Sequence, residues 1–391
     1  MSMTGKERMA AAMRHRPVDR VPVMCQLALG HYFLNTSIPA VDIWHSTEGF
    51  AEALIALQRR YRFDGILINL PGRDPEWRSG IAREEMRGEA AVLHWKNGWF
   101  TVCPPDDNPH CYREDGKEYH PAFDEIDPDL LYYIEPHDLG GIKYPAAWGI
   151  SSFPAGAGDF FPPWQFDTIE SVSRRAGDEV SIHGEIFSPF SQFLELLGYR
   201  PALTALLRNP GKSKACLESL ARGAAALGRG QAARGVDAVL ISSAFAGAGL
   251  ISTHHYREFV LPYERMVIEG IKKQYDVPVY THTCGRIGDR LELMAETGTD
   301  GIDTLDPPPL GDVDLAAAKR RIGGRLFIKG NLDPINVILQ GTPDEVYQAA
   351  RRCLAAGAPS GGYILSSACS IPPRAPAENI LKIAAAALSG S

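Results

Sequence analysis

Short runs of aliphatic and β-branched residues recur along the chain, spaced so that a helix fits between most neighbours. Eight are legible, at 21–24, 65–70, 180–183, 238–241, 278–280, 301–304, 326–328 and 363–365. Several, Ala238-Val239-Leu240-Ile241 among them, are apolar at successive positions, the pattern of a strand covered on both faces. The segments 213–234, 255–274, 286–297 and 342–356 carry apolar residues at helical spacing, and several end near glycine. Eight strands alternating with helices predict an α/β fold, a closed TIM (β/α)8 barrel. An open doubly wound sheet is the other arrangement, but no Gly-x-Gly-x-x-Gly follows an early strand. A helix over 6–15, capped by Thr4, is predicted ahead of the first strand.

The alternation breaks from 71 to about 168. This stretch is rich in proline, aspartate and aromatics, including Trp77, Trp95, Trp99, Tyr132, Tyr133, Trp148, Phe160, Phe161 and Trp164. A structureless loop of that length is out of keeping with a compact domain. The segment is therefore read as a folded insertion after the second strand, within one barrel domain spanning 1–391. Most of its aromatics are expected to pack its own core, and one or two to wall a pocket.

Composition narrows the function. With 391 residues, 45% of them hydrophobic, the chain has ample material for a large core. A net charge of −7 and a pI near 5.9 argue against a general nucleic-acid or membrane-surface binder. The start, Thr4-Gly5-Lys6-Glu7-Arg8-Met9, is polar where a secretory leader is apolar, and no apolar run approaches the length of a membrane span. Seven scattered cysteines, an odd count, fit a reducing cytoplasm better than a disulfide framework.

In a β/α barrel the reacting groups sit where strands end and loops begin. Those positions hold Glu185 after the third strand, Ser242 and Ser243 after the fourth, and His282 and Cys284 after the fifth. Asp303 and Asp306 lie on or after the sixth, Asn331 and Asp333 after the seventh, and Cys369 after the eighth. A lone His-x-Cys is more often a strand-end polar residue beside a buried thiol. With Cys369 at a matching strand end, His282, Cys284 and Cys369 form three ligands of a zinc site that leaves one position open. Glu185 and Asp306 are the candidates for a catalytic carboxylate or a displaceable fourth ligand, although strand-end acids also cap helices or pair with arginines. Zinc bound by two thiolates is a mild Lewis acid, suited to holding a thiol as thiolate or polarising a leaving heteroatom. A hydrolase would favour histidines and carboxylates, and a structural zinc four closed ligands. The chemistry leans toward thiol alkylation or demethylation. His254 and His255 read as loop histidines, Tyr256, Phe259 and Pro262 as the packing of a helix start, and 330–334 as a tight turn closing a strand.

The segments Arg16-Pro17-Val18-Asp19-Arg20-Val21-Pro22-Val23, 256–262, Gly330-Asn331-Leu332-Asp333-Pro334 and Gly361-Gly362-Tyr363-Ile364-Leu365 resemble the uroporphyrinogen decarboxylase superfamily. The resemblance covers nearly the whole chain outside 71–168, and implies a β/α barrel independently of the strand count. Decarboxylases proper carry an arginine-rich segment after the first strand, whereas here it reads Met24-Cys25-Gln26-Leu27-Ala28-Leu29-Gly30-His31. The His-x-Cys with a late Cys resembles the zinc-dependent methyltransferase branch, which moves methyl groups to or from a corrinoid on a partner protein. It is also similar to the zinc site of cobalamin-independent methionine synthase, whose further carboxylate ligand would fall near Asp306. The resemblance thus implies zinc on His282, Cys284 and Cys369, and a small-molecule methyl donor or thiol acceptor. The corrinoid would come from another protein, since the chain has no Asp-x-His-x-x-Gly. Aromatics of the insertion are expected beside the metal, favouring a donor with an apolar or aromatic body. A decarboxylase and a non-catalytic binding protein stay open as alternatives.

Overall fold

A parallel sheet of seven strands carries the candidate ligands, and its topology explains why they meet. The computed structural model describes residues 3–116, 120–135 and 160–389. Its strands are β1 (Gly65–Ile68), β2 (Ile81–Arg87), β3 (Ala90–Trp95), β4 (Phe100–Cys103), β5 (His110–Tyr112) and β6 (Ser181–Phe187). They continue with β7 (Ala238–Ser242), β8 (Val279–Thr283), β9 (Gly301–Thr304), β10 (Phe327–Leu332) and β11 (Tyr363–Ser367). The parallel sheet runs β1-β6-β7-β8-β9-β10-β11, so strands consecutive along the chain are neighbours in space. Its two edges are linked through the segment before β1. Met24 N donates to Leu365 O, Ala28 N to Ile371 O, and Asp64 N to Val23 O. The run 21–24, expected as the first strand, makes only an isolated bridge at Val23, with another at Leu27. Pro22 has no N–H to donate to a ladder, and only its carbonyl takes part, accepting from Leu365 N.

Each parallel strand is buried on both faces. Leu67, Ala238, Leu240, Tyr280, Phe327 and Ile364 point to one side, where Met9, Ala12 and Met13 of the helix Gly5–Met13 join them. Val239, Ile241, Val279, Ile302 and Ile328 point to the other, into the layer packed by helices. Thr4 and Glu7 form a reciprocal capping box at the start of Gly5–Met13, satisfying backbone donors that the first turn leaves unpaired. The expected helix 255–274 is two helices, Thr253–Phe259 and Leu261–Lys272, with Pro262 at the start of the second.

Two strands run further than their apolar runs. The third expected strand ends at 183, but β6 continues to Phe187 and carries Glu185; likewise β10 continues to Leu332 and carries Asn331. Gly184-Glu185 and Lys329-Gly330-Asn331 interrupt the hydrophobic pattern without ending the hydrogen-bonded ladder.

Between β1 and the helix Asp167–Ala176, strands β2 to β5 form a separate antiparallel sheet in the order β2-β3-β4-β5. Arg374, in the chain beyond β11, pairs with Asp106 in the β4–β5 connection at 2.6 Å. This contact sets the antiparallel sheet beside the loop that carries Cys369.

One buried acid outside the candidate site makes stability depend on pH. Glu264, on Leu261–Lys272, is fully enclosed and accepts a hydrogen bond from Tyr256 Oη at 3.2 Å. Burial pushes its carboxyl up to about 7, against the opposing pull of Ser243 and Tyr256. Between its ordinary value near 4.5 and about 7, the unfolded chain has lost this proton while the folded chain keeps it. Stability from this group is therefore complete below pH 4.5 and falls as pH rises, by up to about 3 kcal/mol. Glu264→Gln is expected to flatten that slope. Urea melts should find the variant's stability relative to wild type improving by about 1–3 kcal/mol between pH 5 and 7.5. A difference equal at both pH values would show that the proton is not the cause.

Candidate metal centre

His282 lies on β8, Cys284 just past its end, and Cys369 two residues past β11. The strands aim all three at one point. His282 Nε2 is 3.3 Å from Cys284 Sγ, and the two sulfurs are 3.5 Å apart. All three ligand atoms lie within 4.8 Å of one another. A tetrahedral ion with metal–sulfur bonds of about 2.3 Å would set its sulfurs about 3.8 Å apart, so these residues fit zinc after a small outward adjustment. Gly285 takes φ +75° immediately after Cys284, a left-handed turn that suits glycine.

Behind the histidine stands a chain of buried charges. His282 Nδ1 lies 3.0 Å from Asp303 Oδ2 on β9, and Lys329 Nζ on β10 donates to Asp303 Oδ1 at 2.9 Å. Asp303 and Lys329 are each about 2% exposed at their side chains. Burial alone would raise the Asp303 pKa, but Lys329 and His282 hold it at about 2. An ionised Asp303 accepts a hydrogen bond from His282 Nδ1–H and leaves Nε2 toward the thiols, the arrangement that orients a metal-binding imidazole. Burial disfavours the His282 cation, yet Asp303 and Cys369 outweigh it and lift the ring to about 10. The thiols share a proton unequally. A hydrogen bond from Cys284 and the neighbouring His282 draw Cys369 well below the usual thiol range, and Cys284 is pushed well above it. Metal binding would displace these protons.

Asp306 reaches the same end of the sheet by a kink. Thr304 and Leu305 take φ +81° and +57°, a region that residues other than glycine seldom occupy. Asp306 Oδ2 then accepts from Gly285 N at 2.5 Å, beside Cys284, while Oδ1 is buried without a hydrogen-bond partner among the described residues. Burial pushes this carboxyl up to about 6, partly offset by Gly285 N–H. A Cβ on Gly311 would come 2.2 Å from Asp306 O, so the packing behind this acid requires glycine. Glu185 on β6 is likewise raised by burial, to about 7, with His282 and Ser242 opposing the shift. Both acids thus sit within electrostatic reach of the cluster.

The other strand-end residues serve the scaffold. Asn331 Nδ2 donates to Leu305 O, and Asp333 caps the short helix Pro334–Leu339 through Ile335 N and Asn336 N. His254 pairs with Glu258, and His255 packs on Phe259. Of the described insertion aromatics that were expected beside the metal, Tyr132, Tyr133, Phe160 and Phe161 pack on one another. Trp77, Trp95, Trp99 and Trp164 line a cavity to which none of the three ligands contributes. Trp148 lies outside the described residues. Lys329 was invisible to reasoning from strand ends, and Asp303 had no role there. A lysine inside Leu-Phe-Ile-Lys-Gly and an aspartate inside Gly-Ile-Asp-Thr are the available signal, since a charge within a buried strand needs a partner.

Residues 160–388, more than half of the chain, match the uroporphyrinogen decarboxylase (URO-D) family. The chain belongs to this family. Two similar relatives are named methylcobamide:CoM methyltransferase MtbA. That of Methanosarcina mazei is 27% identical over 386 residues, which span 97% of this chain and 96% of the relative. That of Methanosarcina acetivorans is 28% identical over 217 residues, 56% of this chain and 60% of the relative. A solved structure described as a methyltransferase from Methanosarcina mazei covers 100% of this chain and 99% of its own, with a TM-score of 0.72 at 18% identity. At that identity the likeness shows a shared fold.

Proposed function

We propose that this URO-D family protein is a zinc-dependent methyltransferase. It moves a methyl group between a small molecule, as donor or as thiol acceptor, and a corrinoid carried by a partner protein. The observation that carries the reading is the convergence of His282, Cys284 and Cys369 in front of Asp303 and Lys329. The relative named methylcobamide:CoM methyltransferase, matched over 96% of its length, supports it. The frame assumed is one barrel domain, closed at 21–27, with 71–168 as its insertion.

Zinc on these three residues would hold a thiol as thiolate, or polarise a departing heteroatom, as a mild Lewis acid. The chain's own residues prepare that position. Asp303 accepts the hydrogen bond from His282 Nδ1–H so that His282 presents Nε2, and Lys329 balances the buried carboxylate. Asp306 offers its unpartnered Oδ1 as a displaceable fourth ligand, and Glu185 is the second candidate for a carboxylate acting there. In-line transfer requires the corrinoid protein to dock over the end of the sheet where the ligands converge. No helix among the described residues is long and apolar enough to cross a membrane. No disulfide joins the seven cysteines, and a reducing cytoplasm is the setting we assign, with no nucleic-acid partner.

The test is methyl transfer by zinc-loaded protein, assayed as demethylation of methylcobalamin by 2-mercaptoethanesulfonate and other small thiols, and as methylation of cob(I)alamin by methylated thiols and ethers. Absence of both would overturn the proposal. Uroporphyrinogen incubated anaerobically with the same protein is expected to keep its carboxylates, because no arginine stands between Met24 and His31. Appearance of the four-carboxylate product would place the chain with the decarboxylases instead.

A further inference from the structure

Five of the chain's six tryptophans face one cavity, away from the metal ligands. Trp44 precedes β1, Trp77 lies in the turn just before β2, Trp95 and Trp99 lie on and after β3, and Trp164 leads into the helix Asp167–Ala176. The open cavity has a volume of about 500 Å³, within the range of small-molecule sites. Part of the wall is already paired. His45 stacks on Trp77 at 4.9 Å and meets Trp95 edge-on at 5.3 Å, and Trp95 Nε1 donates to Thr101 Oγ1 at 2.8 Å. The rings of Trp99 and Trp164 stack on no other ring among the described residues. Both remain only partly buried. Indoles that merely filled a core would be expected to pack fully against their neighbours.

The charges around the cavity have a direction. Lys96 is exposed at its edge, and its ammonium makes no ion pair among the described residues. Asp74, the acid in the lining, spends a carboxylate oxygen capping its own turn, accepting from Glu76 N at 2.8 Å. Arg73 is buried with its guanidinium over the Trp44 ring. Asp74 keeps its charge while it accepts that bond, so the charged lining is Arg73 and Lys96 against one carboxylate, a balance of one positive charge.

We propose that this cavity binds a small planar aromatic acid, its ring between Trp99 and Trp164 and its carboxylate toward Lys96. A quaternary ammonium ion also favours indole faces, but here it would meet Lys96 and Arg73. The site stands apart from the methyl-transfer reading, since none of His282, Cys284 and Cys369 lines it.

The experiment is isothermal titration of the full chain with 4-methoxybenzoate, zinc-loaded and zinc-stripped. Saturable binding at one site per chain is expected, unchanged by removal of zinc. Trp99→Ala and Trp164→Ala should each weaken it about tenfold or more, and Trp99→Phe much less, which separates loss of the ring from loss of the fold. Lys96→Gln should weaken the acid severalfold and leave neutral anisole unaffected. The proposal is overturned by absence of saturable binding, by full affinity in both alanine variants, or by tighter binding of trimethylphenylammonium. Binding that disappears with zinc would also overturn it, by placing the ligand at the metal centre.

Discussion

Cys284→Ala and Cys369→Ala are each expected to abolish stoichiometric zinc binding, from about one ion per chain to a small residue. Each variant leaves one thiolate and one imidazole, with Asp306 and Glu185 the nearby carboxylates. Removing a residue that only orients a ligand costs 10–100-fold in affinity, so removing a ligand should cost more than about 100-fold. The fold should survive, because both sulfurs sit at a partly exposed mouth and an alanine creates no sealed cavity there. Cys353→Ala is the matched control. That thiol lies near Asn331 on the scaffold side, and its loss should leave metal content unchanged. Elemental analysis after exhaustive dialysis reads the outcome, with circular dichroism to verify folding. Full zinc retention in both ligand variants would remove the basis for the metal centre, and methyl transfer would then need another explanation.

The strand pattern and the meeting of His282, Cys284 and Cys369 were legible because they follow local rules. A buried parallel strand is an apolar run, and the reactive residues of such a fold cluster where the run stops. The same rule misplaced residues whose chemistry interrupts the run. Glu185 and Asn331 read as post-strand residues, yet both lie on strands. Polar side chains there are enclosed by the partners that the fold supplies, so polarity marks the site and not the end of the ladder. The segment 21–24 failed for the opposite reason: it is apolar enough for a strand, but Pro22 withholds a donor. The Asp306 kink was not legible at all. Thr304 and Leu305 are ordinary residues for a strand and give no local sign of the positive φ that surrounding contacts impose on them. The gathering of tryptophans around the insertion cavity depends on pairing between β2, β3 and β4, which no periodicity announces.

Asp303→Ala should damage both stability and metal binding, and the two effects should separate in a second variant. Asp303 answers two cations at once: one carboxylate oxygen faces His282 Nδ1 and the other accepts from Lys329 Nζ. Its removal leaves Lys329 charged, about 1% exposed and without its carboxylate. Stranding one member of a buried pair costs about 3–5 kcal/mol. The imidazole also loses the acceptor that fixes its tautomer, worth about 10–100-fold in zinc affinity. Lys329→Met in the Asp303→Ala background removes the stranded charge while keeping most of the side-chain volume. The double variant should therefore recover most of the lost stability in a denaturant melt. Its zinc affinity, measured by competition with a chromophoric chelator, should stay as weak as in Asp303→Ala, because nothing has been returned to Nδ1. Recovery of both quantities together would mean that Asp303 acts on the metal only by keeping the sheet folded. Recovery of stability alone identifies it as the residue that positions His282.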